Sequence, residues 1–303
     1  MKHRIVKKAE LKAKSEELGI PFSNLLAGYV LEELMYLIED SPFSLFLWLK
    51  NSSVFGIEQY RKKNILNLEF VYITDKLAMK KEGIVPGQKL SLKMGYVMLA
   101  HILKVDKVPE ISWKGRASVK EDIVELEVVG EFEEMTVPIH IRVTELAREG
   151  IVPNRKEITL FMQDNRKVPY LEYPVEIILA EQLFAVIKNM ELIPEMNAYD
   201  MIYQILSREA VDGRHIRDTL FEMCTKEGVA LEPERLNQLL SYRSYSYMRK
   251  RWEKYLRHRK RKEPTWDEVM QQIENFLPRI WKSLCSDEIF FGDWMPELLR
   301  FLD

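Results

Sequence analysis

The chain has 303 residues, 47% of them apolar and 30% charged, with a formal net charge of −2. That length suits one large domain or two modest ones, and the charge balance makes any basic surface a local feature. No run of about 18 apolar residues is present, which argues against a membrane-spanning helix.

The N-terminal "MKHRIVKKAELKAKSEEL" is charged and has no apolar centre, so a secretory signal is not expected and the location reads as cytoplasmic. Residues 5–39 read as helical. "AELKAKSEELG" stops at Gly19 with Pro21 just beyond. "PFSNLLAGYVLEELMYLIED" opens a second helix, with Ser23 as N-cap and a stripe of Leu25, Leu26, Tyr29, Val30, Leu34 and Leu37. Leu45–Lys50 is apolar on both faces, and periodicity leaves it open between strand and helix. Asn51-Ser52-Ser53 is a polar turn, and "VFGIEQY" suits a short helix.

"KKNILNLEFVYI" (62–73) reads as a basic turn entering a strand at 66–73. Leu66, Leu68, Phe70 and Tyr72 take one face, and Asn67 and Glu69 share the other. Residues 81–119 hold the turn signals "EGIVPG", "KVPE" and "WKG" and read as irregular. "IVELEVV" and "MTVPIHIRV" suggest an antiparallel pair around a solvated hairpin, "GEFEE", and "EITLFMQ" (157–163) a further strand.

After Pro174 the texture is helical: "VEIILAEQLFAVIKNM", "NAYDMIYQILSR", "GRHIRDTLFEMCTKEG", a long polar-aromatic helix, and "TWDEVMQQIENFLPRIWKSL". The last has Thr265 as N-cap and Glu268 three residues on, a capping box. The expected class is α+β: a mixed sheet with flanking helices over 1–175, then a helical domain over 176–303. Cys224 and Cys285 form no CxxC pair, so a zinc site is not expected, and neither has a neighbouring His in sequence, so a nucleophilic thiol is not expected.

Several segments taken together carry a resemblance. "LWLKNSS" (47–53) is an apolar run into a Lys-led turn. "GIEQYRKK" (56–63) follows, and "NLEF" (67–70) lies on the strand, with Asn67 placed 17 residues after Lys50. "VPIHIRV" puts His140 on a later strand, and "YPVEIILAEQLFA" (173–185) and "NAYDMIYQIL" precede a C-terminal "WEKYLRHRKRKEPTWDEVMQQIENFLPRIW". Over nearly the whole chain these resemble the AbiEii/AbiGii nucleotidyltransferase-like toxin family of abortive-infection and toxin–antitoxin loci. The family pattern has Lys-Gly-Gly-Ser/Thr, Asp-x-Asp, a third strand Asp and Ala-Glu-Lys. This chain has Asn51 and Ser52 for the glycines, Asn67 and Glu69 for the first acids, His140 for the third, and Gln182 for the lysine.

The resemblance implies a nucleotidyltransferase-like fold in a bacterial phage-defence setting. It implies an NTP with Mg or Mn as cofactor, an antitoxin or regulator protein as partner, tRNA as acceptor, and no membrane partner. It also implies roles. Asn67, Glu69 and His140 stand in the catalytic places, and Glu69 is the one metal-ligating carboxylate left. Lys50, Asn51, Ser52, Ser53, Lys63, Gln182 and Asp200 stand in the nucleotide-binding places.

The departures bear on the chemistry. Two-metal transfer needs clustered carboxylates, and magnesium is a hard cation that seeks oxygen. Asn67 has lost a charge, and a His140 nitrogen suits zinc or manganese better. The leading expectation is therefore a catalytically degenerate nucleotidyltransferase fold. The alternatives are a non-catalytic module that senses nucleotide or binds protein or RNA, and an active tRNA-modifying transferase with an altered metal site.

The segment 242–262 holds ten Lys/Arg residues interleaved with Tyr242, Tyr245, Tyr247, Trp252 and Tyr255. Basic groups track phosphates and aromatic faces stack on bases. Arg249, Lys250, Arg251, Trp252, Lys254, Arg257, Arg259 and Lys260 are the candidate RNA contacts. The competing reading is a solvated helix whose aromatics pack inward.

Overall fold

Apolar residues recur at every second position through much of the first half and at helical spacing through the second. The computed structural model, which describes residues 3–62, 67–74, 90–103, 107–146 and 151–302, divides the chain into two compact units, Met1–Pro174 and Val175–Asp303.

In the first unit α1 (Lys8–Leu18) and α2 (Phe22–Glu39) precede β1 (Leu47–Leu49), α3 (Ile57–Tyr60), β2 (Asn67–Tyr72) and α4 (Leu92–Ile102). Then come β3 (Ile111–Lys120), β4 (Ile123–Phe132), β5 (Met135–Glu145), β6 (Asn154–Leu160) and β7 (Arg166–Glu172). The described strands form one mixed seven-stranded sheet in the order β3-β4-β5-β2-β1-β7-β6. β3, β4 and β5 are an antiparallel meander, and β5 then runs parallel to β2. β1 is antiparallel to β2 and parallel to β7.

α2 and α4 pack on one face of this sheet, over Leu68, Phe70, Leu126, Ile139 and Ile141. α2 is apolar nearly all round, so it is buried nearly all round. Alternation along β2, β4 and β5 sends their polar residues to the opposite face.

α1 does end at Gly19, in the left-handed region at φ 61°, but α2 is not capped by Ser23. Pro21 takes the cap position and its carbonyl accepts from Asn24 and Leu25, so Ser23 lies inside the first turn. The stretch read as irregular contains α4, N-capped by the Ser91 hydroxyl on Met94 N–H, and all of β3 but Lys120. Gly95 and Gly115 are packing residues: a Cβ on Gly95 would stand 2.9 Å from Val124, and one on Gly115 2.8 Å from Leu99. "EGIVPG" lies outside the described residues.

Gly130–Phe132 of "GEFEE" belong to β4, and the turn is only Glu133-Glu134, with Glu133 at φ 51°. β1 is a strand. β7 was not anticipated, because Pro169 interrupts it. The proline is tolerated because β7 meets β1 only where Leu49 pairs Glu172, which leaves Pro169 unpaired on that side.

The second unit holds α5 (Val175–Asn189), α6 (Asn197–Leu206), α7 (Gly213–Lys226), α8 (Pro233–Ser241), α9 (Ser246–His258) and α10 (Trp266–Cys285). A small sheet joins β8 (Val211–Asp212), β9 (Asp293–Met295) and β10 (Arg300–Leu302). The long polar-aromatic helix is thus two helices. The capping box on α10 is present. Trp252, Trp266, Trp281 and Trp294 are buried, and each indole N–H donates to a carbonyl, of Pro264, Tyr242, Glu232 and Leu206 respectively. That satisfies the one polar atom of each large apolar side chain. Cys224 is buried and both cysteines are free. No described helix is long and apolar enough to cross a membrane.

Candidate functional site

The polar face of the first unit's sheet is ordered by its register. Asn67 pairs His140 across β2 and β5, Glu127 pairs His140, and Arg116 pairs Glu127. One row across the strands therefore reads Arg116, Glu127, His140, Asn67. The next reads Ser118, Glu125, Arg142, Glu69, continued by Lys50, whose N–H donates to the Glu69 carbonyl at 2.7 Å. A third row is largely apolar: Ile123, Thr144, Val71, Trp48. Neighbouring strands lie about 4.8 Å apart, so residues in a row are side by side.

Asn67, Glu69 and His140 are thus on adjacent strands of one face. Beside them stands Arg142, which the sequence reading missed. The signal was available: "IHIRV" alternates, so Arg142 must share the face of His140 as Glu69 shares that of Asn67. His140 and Arg142 are exposed, and Asn67 and Glu69 are half-buried. Among the described residues no hydrogen bond or ion pair engages the side chains of Glu69, His140 or Arg142.

The turn after β1 is committed to structure. Asn51 Oδ1 accepts the Glu69 N–H at 2.9 Å, and Asn51 Nδ2 donates to the Asn67 carbonyl at 2.9 Å. The carboxamide continues the β1 ladder by one rung. This corrects the reading of Asn51 as a phosphate contact. Ser52 and Ser53 lie in a single 3-10 turn, Ser52–Val54. The Tyr170 phenol is pushed up to about 12 by burial and by the Glu172 carboxylate, with the Ser52 hydroxyl opposing the shift. Ser53 is exposed. The Lys50 ammonium lies 5.0 Å from the Tyr173 ring centroid. Lys63 lies outside the described residues.

Gln182 and Asp200 belong to the second unit, on α5 and α6. Gln182 is half-buried. Asp200 is buried and one of its oxygens takes both the Tyr255 hydroxyl at 2.9 Å and Arg261 Nη1 at 2.7 Å. It ties α6 to the end of α9, which corrects its reading as a nucleotide contact.

The basic tract separates into two sets. Arg249 makes a two-pronged ion pair with Asp267, and Arg251 donates to the carbonyls of Glu191, Ile193 and Pro194. Arg259 lies over Tyr255 and donates to Asn197. Trp252 is fully buried and offers no face to a base, a correction to its place among the RNA contacts. Lys250, Lys254, Arg257 and Lys260 are exposed, and so are Tyr245 and Tyr247, whose rings lie 5.8 Å apart.

The residues present do not fit a pair of magnesium ions. A two-metal clamp concentrates negative charge; here Arg142 stands one strand away from both Glu69 and Glu125, and no second carboxylate adjoins Glu69 in its row. Among the described residues no three His, Cys, Asp or Glu side chains are grouped to hold a metal. A cavity of about 400 Å³ in the same unit, lined by Leu37, Asp40, Leu45, His101 and Lys107 among others, includes none of these residues.

No family model and no curated protein matches the chain. Among solved structures it is similar to JHP933 from Helicobacter pylori, at 9% identity and a TM-score of 0.44, covering 88% of this chain and 96% of that one. It is also similar to an H. pylori protein described as a candidate nucleotidyltransferase, at 9% identity and a TM-score of 0.39, covering 87% and 97%.

Proposed function

We propose that this chain is a nucleotidyltransferase-fold protein of the AbiEii type, acting in a toxin–antitoxin or abortive-infection setting, that has lost two-metal transfer and keeps a nucleotide-binding face. The observation that carries this reading is the register that sets Asn67, Glu69 and His140 on adjacent strands beside the β1 turn, where the family's acids would stand. Asn67 and His140 each replace a carboxylate there, and Arg142 adds a positive charge to the same face. Such a site retains the scaffold's geometry without its divalent-cation trap. A regulator or antitoxin protein is the partner this setting supplies. The test is transfer of label from each of the four NTPs, α-labelled, to tRNA in magnesium and in manganese. No transfer is expected. Metal-dependent labelling of tRNA would overturn the loss of chemistry and favour an active enzyme with an altered site.

RNA binding along α9 is supported by a narrower set of residues than the sequence alone nominates. Lys250, Lys254 and Arg257 recur at helical spacing on one side of α9, with Tyr245 and Tyr247 exposed at its start. Basic side chains in such a stripe follow a phosphate backbone, and exposed tyrosines stack on unpaired bases. The charge reversals Lys250→Glu and Lys254→Glu should weaken tRNA binding and flatten its salt dependence. Unchanged binding would leave α9 as a solvated helix.

A further inference from the structure

We infer that Arg142, with His140 beside it, takes the place of the divalent metal on this face, so that the phosphates of a nucleotide are held directly by protein donors and without a metal ion. The inference rests on the nucleotide-binding reading above and says how that site works.

The register and the exposure of Arg142 carry it. Arg142 lies in register with Glu69, the one acidic side chain left at the clamp, and with Glu125 on the other side. A guanidinium one strand from Glu69 already supplies the positive charge that a metal would bring, and it repels a second cation. Arg142 is also uncommitted: it is exposed, and among the described residues its donors have no partner. Arginine presents five N–H groups in a fixed fork that matches two phosphate oxygens at once.

His140 is two residues before Arg142, exposed, in register with Asn67. Its ring N–H and the Asn67 amide are further donors in the neighbouring row. Glu69 then has a different role from a metal ligand. Its carboxylate lies one strand from the Arg142 guanidinium and is repelled by phosphate.

The two modes predict opposite signs at Glu69. If a metal bridges protein and phosphate, removing the Glu69 charge weakens binding. If arginine binds phosphate directly, removing it leaves affinity equal or improves it. Magnesium likewise has opposite effects, being required in the first mode. In the second it competes with Arg142 for the phosphate charge.

The experiment is a calorimetric titration of the full chain with each of the four NTPs, in EDTA and in excess magnesium. It is run on the wild type and on Arg142→Ala, Arg142→Lys and Glu69→Gln. Arg142 is on the solvent face, and a thermal melt of each variant verifies folding. The inference expects binding in EDTA that magnesium leaves unchanged or weakens. It expects a loss of about tenfold or more in Arg142→Ala, which corresponds to about 1.4 kcal/mol, partial retention in Arg142→Lys, and no loss in Glu69→Gln. Binding that requires magnesium, or that is indifferent to Arg142→Ala, would overturn the inference while leaving a nucleotide site in place. No binding in either condition would overturn both this inference and the nucleotide-binding reading on which it rests.

Discussion

The side chain of Asn51 stands beside Glu69 where another β1 residue would pair: its Oδ1 accepts the Glu69 N–H at 2.9 Å, and its Nδ2 reaches the Asn67 carbonyl at 2.9 Å. One carboxamide thus fixes the stretch of β2 that carries the candidate site. Asn51→Ala removes both bonds, each worth about 1 kcal/mol net. The first unit should lose about 1–2 kcal/mol in urea denaturation, and nucleotide affinity should fall with it. A variant as stable as the wild type would mean that water replaces the carboxamide.

Glu32 on α2 is a source of pH dependence in the first unit. It accepts the Tyr60 hydroxyl at 2.8 Å and the Phe161 N–H at 3.0 Å. Burial nevertheless pushes its carboxyl from 4.5 up to about 8, the two hydrogen bonds opposing the shift. Between those values the folded chain holds a proton that the unfolded chain has released. Stability is therefore full below about 4.5 and is lost as pH rises towards about 8. In Glu32→Gln the amide oxygen keeps the Phe161 bond, and the Tyr60 hydroxyl turns to accept from the amide nitrogen. Melting temperatures at about pH 5 and pH 8 should differ less in the variant than in the wild type. Equal pH dependence would show that Glu32 does not titrate in this window.

Gly28 lies against the ring of Tyr60, and a Cβ there would stand 2.6 Å from two ring carbons. The ring is buried and its hydroxyl is held by Glu32, so it has little room to yield. Gly28→Ala should cost about 1–3 kcal/mol, the usual range for an overpacked core. It should also disturb α3, which follows the β1 turn. Chemical denaturation reads the first effect, and a rise in amide exchange at Ile57–Tyr60 reads the second.

In α9, Arg251 and Lys254 are both cations but should behave differently. Arg251 supplies donors to the carbonyls of Glu191, Ile193 and Pro194, whereas Lys254 points to solvent. Arg251→Ala should lower the melting temperature, since hydrogen bonds from charged donors are worth about 1.5–3 kcal/mol each. Lys254→Ala should change stability by no more than about 0.5 kcal/mol. The two variants compared by thermal melt test this division of the basic tract.

Where one local rule acts without competition, the sequence reading and the fold agree. β4 and β5 alternate cleanly, and β2 does so from Asn67 to Phe70, because one face is buried under helices; Gly19 ends α1, and Thr265 with Glu268 caps α10. The reading failed where a residue type served packing instead of its usual local role. Gly115 is small because Leu99 lies over it, yet in sequence "WKG" looks like a turn. Pro169 looks like a strand breaker, and the short overlap of β1 with β7 makes it harmless. At the site, the positions of Asn67, Glu69 and His140 followed from alternation and motif spacing. Their relation to Arg142 did not, because register between strands far apart in sequence is a tertiary property. Nor could composition show that Trp252 and Asp200 are spent on the interior of the second unit.

Whether this face gathers divalent cations is tested most directly by titrating manganese into the wild type and into Asn67→Asp/Glu69→Asp/His140→Asp/Arg142→Ala. The wild type should bind no manganese at up to about millimolar concentration, the range of −4 kcal/mol, and the restored variant should bind it measurably. Two manganese ions bound by the wild type at about micromolar affinity would contradict the replacement of the metal clamp by Arg142.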